Sequence, residues 1–370
     1  MANTVKKSRE PLMHMAKRDD ISGAKAWMIR LAAILLGLLL IGIVSAIMVG
    51  ESFFEVYNIM FTGVFGRLLE GKTTLLWRFL QQTAILLCLA LAVTPAFRMR
   101  FWNCGAEGQA LIGGLAAMVC MIEIGDAVPN GVLLLIILVC SVLAGAVWGM
   151  IPALFHAKYK TNETLFTLMM NYVATQIVAY YVYVTGSGSG IIQPVSTGNL
   201  PSLLGQKYLL NILVVAVLMA AMYIYLKYSK HGYEIIVVGE SRNTARYIGI
   251  NVKKVIIRTM LISGAVCGIA GMLLVSGTDH SINTNTVGGQ GFTAIMISWL
   301  GQFNPFIMAA MSGLVTFLQT GAAKVADTFF LNSSYADIMS GIVILFLVGC
   351  EFFIQYSVKF RHSKKGGKGV

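Results

Sequence analysis

The stretch LAAILLGLLLIGIVSAIMV, residues 31–49, runs 19 residues without a charge, and AVPNGVLLLIILVCSVLAGAVWGMIPALF, residues 127–155, runs 29. A hydrocarbon core of about 30 Å needs about 20 apolar helical residues. Each stretch is therefore read as holding a membrane-spanning helix. The same reading works outward along the chain. It predicts spans at 79–97 with Pro95 near the end, at 105–124 interrupted by Glu107, at 164–184, at 208–226, at 257–276 and at 336–357. The uncharged stretch 281–323 is long enough for two helices, split at Gln302–Pro305. That makes about ten spans, an all-α polytopic membrane protein.

Composition agrees. Of 370 residues, 57% are hydrophobic and only 12% charged, about half the charged share of a soluble domain. Mean hydropathy is +0.75. A water-soluble fold cannot hide that much apolar surface. A disordered chain, a secreted disulfide scaffold and an ordinary cytosolic enzyme are excluded. The six cysteines all fall in or beside apolar runs without C-x-x-C spacing, which suggests small buried side chains rather than disulfides or a metal site. The five histidines have no metal-ligand spacing, and no catalytic constellation appears.

The net charge of +12 reflects topology rather than nucleic acid. With the N-terminus inside and ten spans, 23 Lys/Arg fall on the cytoplasmic side and five outside. That asymmetry predicts N-in and C-in termini with an even number of crossings. No small-residue cleavage site follows a short apolar core, so the first span reads as an uncleaved anchor. Gly145/Gly149, Gly264/Gly268 and Ala309/Gly313 are each spaced four apart, the spacing that lets membrane helices approach closely.

Several motifs bear on chemistry. Gly66-Arg-Leu-Leu-Glu-Gly71-Lys72-Thr73 fits the phosphate-loop pattern, but a membrane span follows and the charge rule places it outside. A polar external loop is the better reading. Phe101-Trp102-Asn103-Cys104-Gly105-Ala106-Glu107-Gly108-Gln109 gathers polar side chains where a membrane helix begins or breaks. Gly105 and Gly108 are expected to loosen the helix beside a cavity, and an intramembrane carboxylate marks a candidate functional site. A first-turn acid stabilising the helix start is the competing reading of Glu107. Asn162-Glu163-Thr164 opens the next polar cluster, with Asn171-Tyr172 two turns deeper. In the polar segment 228–256, Ser241 is a good N-cap and Gly249 a good C-cap. The short helix between them, with Ala245 and Ile248 on one face, suits docking against a cytoplasmic partner. The alternative is a helix lying on lipid headgroups.

Taken together, these segments resemble the permease subunits of ATP-binding-cassette importers, in the branch that serves simple sugars and nucleosides. That branch shows F-N-x-G-x-E-G-Q where this chain has Phe101 to Gln109, with Trp102 and Cys104 as departures. It shows N-E-x-x-x-T-L-M-x-N-Y where this chain has Asn162 to Tyr172. Val238-Gly239-Glu240-Ser241 and Ala245-Arg246-Tyr247-Ile248-Gly249-Ile250 resemble its cytoplasmic loop, with Ser241 in place of Asn. Gly289-Gln290-Gly291-Phe292-Thr293 through Asn304-Pro305 resembles its late G-x-G-F-T stretch. The likeness covers roughly residues 75–350.

The resemblance implies a ribose-permease-like fold with no ATP site on this chain. ATP and Mg would sit on a cytoplasmic ATPase, and an extracytoplasmic binding lipoprotein would deliver the solute. A second permease subunit, identical or homologous, with a heterodimer favoured by the length of this chain, would complete the pathway in a bacterial-type cell membrane. Hydropathy and charge divide the chain into a cytoplasmic basic segment 1–27, a permease domain 28–358 and a basic tail 359–370, and the resemblance makes 228–256 the coupling loop. Expected pathway residues are Asn103, Glu107, Gln109, Asn171, Tyr172 and Gln290. Expected ATPase-coupling residues are Ser241, Asn243, Ala245, Arg246 and Gly249. A stand-alone secondary transporter is the rival, but it needs carboxylates deep in several spans, and only Glu107 qualifies.

Overall fold

The computed structural model describes residues 13–17, 22–66, 73–186, 191–332 and 334–360. Most of the phosphate-loop-like stretch 66–73, the Gly/Ser stretch 187–190 and most of both basic ends lie outside the described residues. The chain divides into two compact units, residues 1–61 with 321–370, and residues 62–320.

The first unit is built on α1 (Gly23–Val49) and α13 (Ser334–Gln355). Arg30 and Glu351 form an ion pair at 2.7 Å, with Arg30 almost completely buried. Burying an unpaired guanidinium would cost several kcal/mol (roughly 3–5 if its partner is removed), so the pair fixes the register of the two helices. Farther along, the Tyr335 hydroxyl donates to Ser45 at 2.5 Å. A short antiparallel ribbon, which hydropathy does not reveal, pairs β1 (Met13–Lys17) with β2 (Tyr356–Phe360). Its register sets Met13 opposite Phe360 and Lys17 opposite Tyr356.

The second unit surrounds three central helices, α3 (Thr74–Arg98), α4 (Ala106–Glu123) and α10 (Val252–Leu274). Against them pack α5 (Asn130–Tyr159), α6 (Glu163–Thr185), α7 (Leu209–Tyr228) and α11 (Gln290–Leu300). Side-chain caps set several starts: Asn162 accepts from Leu165 N at 3.1 Å for α6, and Asn251 from Lys254 N at 3.1 Å for α10. Each such cap is worth about 1 kcal/mol. Two of the three small-residue pairs make close helix crossings. A Cβ on Gly145 would overlap the Gly264 carbonyl, and one on Gly268 would overlap that of Ser141. Gly313 makes no such contact, its hypothetical Cβ standing 3.8 Å from the nearest side-chain atom.

Among the described residues, nine helices are long and apolar enough to span a membrane, α12 (Pro305–Thr328) among them. The expectation of a full helix after residue 281 is corrected. After α10, a π-helical turn (Val275–Asp279) leads into a non-helical stretch that ends at Gly289. Then comes α11, whose 11 residues reach only about 16 Å. Its far end meets the end of α3, where Ser298 and Thr94 hydroxyls lie 2.9 Å apart. Residues 280–300 therefore pass from one end of the unit to the other as a turn-rich segment followed by a half-helix. This remains one crossing, so the even count behind the charge argument is unchanged. Two shorter helices, α2 (Phe53–Phe65) and the amphipathic α8 (Lys230–Glu240), were not anticipated either.

Candidate functional site

Between α3 and α4 the chain turns sharply at residues 99–105, with Arg100 at φ 56°. This break brings Asn103 into the core, where it is fully buried. Its amide pairs with that of Gln109: Gln109 Nε2 donates to Asn103 Oδ1 at 3.1 Å, and Asn103 Nδ2 donates back at 3.4 Å. Asn103 Nδ2 also donates to the Ser263 hydroxyl of α10 at 3.0 Å, and Oδ1 accepts from Gly105 N at 3.1 Å. Asn103 and Gln109 thus knit the start of α4 to α10. Neither presents a free polar face.

Asn171 does the same from α6. It accepts from Gly108 N at 2.9 Å and donates to Cys104 O at 2.8 Å. Thr167, one turn earlier, accepts from Cys104 N at 3.1 Å. Helix starts leave backbone N–H groups without intrahelical partners; α6 supplies an acceptor for one of them, Gly108 N, and another for Cys104 N in the turn before the helix. The role of Gly108 differs from that expected. The helix is regular from Ala106, and Gly108 instead permits close approach, since a Cβ there would stand 2.9 Å from Asn171 Cα. Tyr172, the next residue, is exposed and takes no part in this network.

Glu107 reaches across to α11. Its two carboxylate oxygens accept from Gly289 N and Gly291 N, each at 2.8 Å. Gly289 has φ +77°, a left-handed conformation that favours glycine. A Cβ on Gly291 would stand 2.5 Å from Glu107 N. The carboxylate therefore caps a helix 182 residues away, placing negative charge at the positive end of its dipole. Beside it, Gln290 opens α11 with a buried amide oxygen that has no hydrogen-bond partner. Such orphaned acceptors are uncommon and call for a water or ligand.

At the other end of α11, Trp299 stacks on Trp102, with ring centroids 5.5 Å apart. Phe97 meets both rings edge-on. The departure at Trp102 is thus explained by a partner on α11. Sequence reasoning also missed Gln81 and Asn211, buried polar residues beside the π-helical turn. Gln81 donates to Thr278, while the Asn211 amide has no partner. Their only sequence signal was an amide within an apolar run.

The predicted capped helix is present as α9 (Arg242–Tyr247). Ser241 Oγ accepts from Thr244 N at 3.2 Å, and Gly249, at φ +86°, closes a Schellman motif in which Ile250 N bonds to Ala245 O at 2.9 Å. The orientation differs from expectation. Ala245 is fully buried in its own subunit, because a six-residue helix is held only by burying one face. The surface left outward carries Asn243, Arg246, Tyr247 and Ile248, with Tyr247 92% exposed. Next to α9, Glu234 of α8 pairs with Arg258 of α10 at 2.8 Å, which holds the Glu234 carboxyl below the usual carboxylate range.

Comparison with known proteins gives these arrangements a context. Residues 75–348 match the family described as branched-chain amino acid transport system / permease component. Over 354 residues the chain is 29% identical to the guanosine ABC transporter permease protein NupP of Bacillus subtilis, covering 93% of this chain and 97% of that one. It is 27% identical to the glucose ABC transporter permease protein TsgB13 of Haloferax volcanii, over 90% of each chain. It is 24% identical to the nucleoside ABC transporter permease protein NupB of Lactococcus lactis, over 77% of this chain and 82% of that one.

Proposed function

This chain belongs to the branched-chain amino acid transport system / permease component family, and from that premise we propose that it carries a nucleoside, or else a simple sugar, across the cell membrane. It is a multi-pass permease subunit of an ATP-binding-cassette importer. Alignment with a guanosine permease over nearly the whole length of both chains carries the substrate reading.

Within that function, α11 is the element that meets the solute. Glu107 holds its start inside the bundle, and Gln290 offers the unpaired amide oxygen there. Asn103, Gln109 and Asn171 position the half-helix through α4 rather than touching cargo. ATP and Mg belong to a separate ATPase, which α9 engages through Tyr247 and Ile248. A binding lipoprotein and a homologous second permease complete the assembly. Labelled guanosine, adenosine, ribose and glucose should be offered to cells with and without the chain. Loss of nucleoside uptake alone supports the nucleoside reading. Loss of glucose uptake alone replaces it with a sugar, and no loss of any solute overturns the function.

A further inference from the structure

A cavity of about 460 Å³ opens where α5 and α10 meet the segment carrying α9, on the face that the Lys/Arg distribution assigns to the cytoplasm. Lys160, Arg242, Arg246 and Lys253 line it, against one acid, Glu163. His156 Nδ1 lies 2.8 Å from the Thr161 carbonyl and 3.3 Å from Glu163, and on the other side of the ring Nε2 lies 3.3 Å from Arg242 Nη1. Four cations therefore face a single carboxylate. The first turn of α10 deepens the imbalance, carrying Lys253 and Lys254 and no acid. Cations are disfavoured at a helix start. The Thr161 hydroxyl, also lining the cavity, is buried without a hydrogen-bond partner.

The cavity does not end in polar surroundings. Through Thr161 and Asn162 it continues into a groove of about 350 Å³ along α6, lined by Leu165, Phe166, Met169, Met170 and Val173. These side chains climb α6 from its capped start into the apolar span. A basic chamber at headgroup depth leading into an apolar groove has the amphipathic shape of one kind of ligand. We propose that this is a binding site for an anionic phospholipid of the inner leaflet, its phosphate among Lys160, Arg242, Arg246 and Lys253 and one acyl chain along α6. Basic pockets between membrane helices recognise such headgroups. Because Arg242 and Arg246 belong to α9, a bound headgroup would tie the coupling segment to the ends of α5 and α10.

The full chain, purified in neutral detergent and stripped of lipid, should be titrated with short-chain phosphatidylglycerol, phosphatidylcholine of the same chain length, and inorganic phosphate. Phosphatidylglycerol should bind most tightly. The paired change Lys160→Gln/Lys253→Gln should weaken it about 30-fold, at about 1 kcal/mol for each lysine, and leave phosphatidylcholine unaffected. Met169→Trp, which fills the groove, should weaken both lipids. Glu163→Gln should tighten phosphatidylglycerol, a change that does not depend on the lysine variant folding. Equal affinity for the two lipids, or unchanged binding in either the lysine or the Glu163 variant, overturns the site. Inorganic phosphate binding as tightly as phosphatidylglycerol overturns the lipid in favour of a soluble phosphate.

Discussion

Replacing Glu107 with Gln should stop transport without stopping insertion. The carboxylate accepts two backbone N–H groups at 2.8 Å each from the start of α11. An amide keeps one acceptor and turns an N–H donor toward the other, so one of Gly289 or Gly291 loses its partner. A hydrogen bond to a charged group is worth roughly 1.5–3 kcal/mol, and the lost charge at the helix start roughly 0.3–2 kcal/mol more. A total of about 3 kcal/mol lowers the docked population of α11 relative to undocked states roughly a hundredfold. The nine long helices carry the insertion signal, so abundance should stay near normal. Glu107→Asp, one methylene shorter, should fail to reach both N–H groups and behave similarly. The assay is initial-rate uptake of labelled solute beside quantitative immunoblotting of the membrane fraction. Normal uptake by Glu107→Gln at normal abundance would refute the argument that this carboxylate holds α11 in working position.

The coupling segment yields separable expectations. Ala245→Glu places a charge in a fully buried position and should destabilise the segment itself, read as faster proteolysis between α8 and α10 even without an ATPase. Tyr247→Ala removes an exposed ring and should leave proteolysis unchanged while reducing co-purification of the ATPase. Gly249→Val meets no steric neighbour, yet a β-branched residue at φ +86° costs about 1–3 kcal/mol. It should cut uptake while the membrane spans stay intact by thermal denaturation. A cysteine in place of Asn243 should react with an impermeant thiol reagent only in opened cells, and labelling from outside would reverse the assigned topology.

The long spans were legible because an uncharged run of bilayer length has few alternatives. The half-helix was not, because 281–323 carries no charge to mark where helix ends and loop begins. Yet Ser-Ile-Asn-Thr-Asn-Thr-Val-Gly-Gly at 281–289 is turn chemistry within an apolar stretch. Asn283 Oδ1 indeed accepts from Asn285 N at 2.7 Å, and both glycines take positive φ. Weighting that composition above hydropathy would have shortened the helix. Polar clusters around Asn103, Glu107 and Asn171 stood out as costly side chains in apolar surroundings. Their pairing did not, because Gly289, Ser263 and Cys104 are distant in sequence from the side chains they bond and contribute backbone or an ordinary hydroxyl. Thr167 was missed for the same reason, although its spacing of four from Asn171 places both on one face of α6. The caps of α9 were readable from Ser241 and Gly249. The inward orientation of Ala245 depended on packing against neighbouring helices, which local sequence does not encode.

The central claim is that this chain is the permease of an ATP-driven importer. The most direct measurement uses inside-out membrane vesicles or proteoliposomes carrying the assembled complex with its binding protein on the substrate-delivery side. Labelled guanosine movement is measured with ATP supplied to the ATPase face, then repeated after a protonophore collapses the proton gradient. The account predicts transport that requires ATP hydrolysis, survives the protonophore, and disappears when this chain is omitted. Transport that persists without ATP and stops with the protonophore would contradict it and point to a secondary transporter.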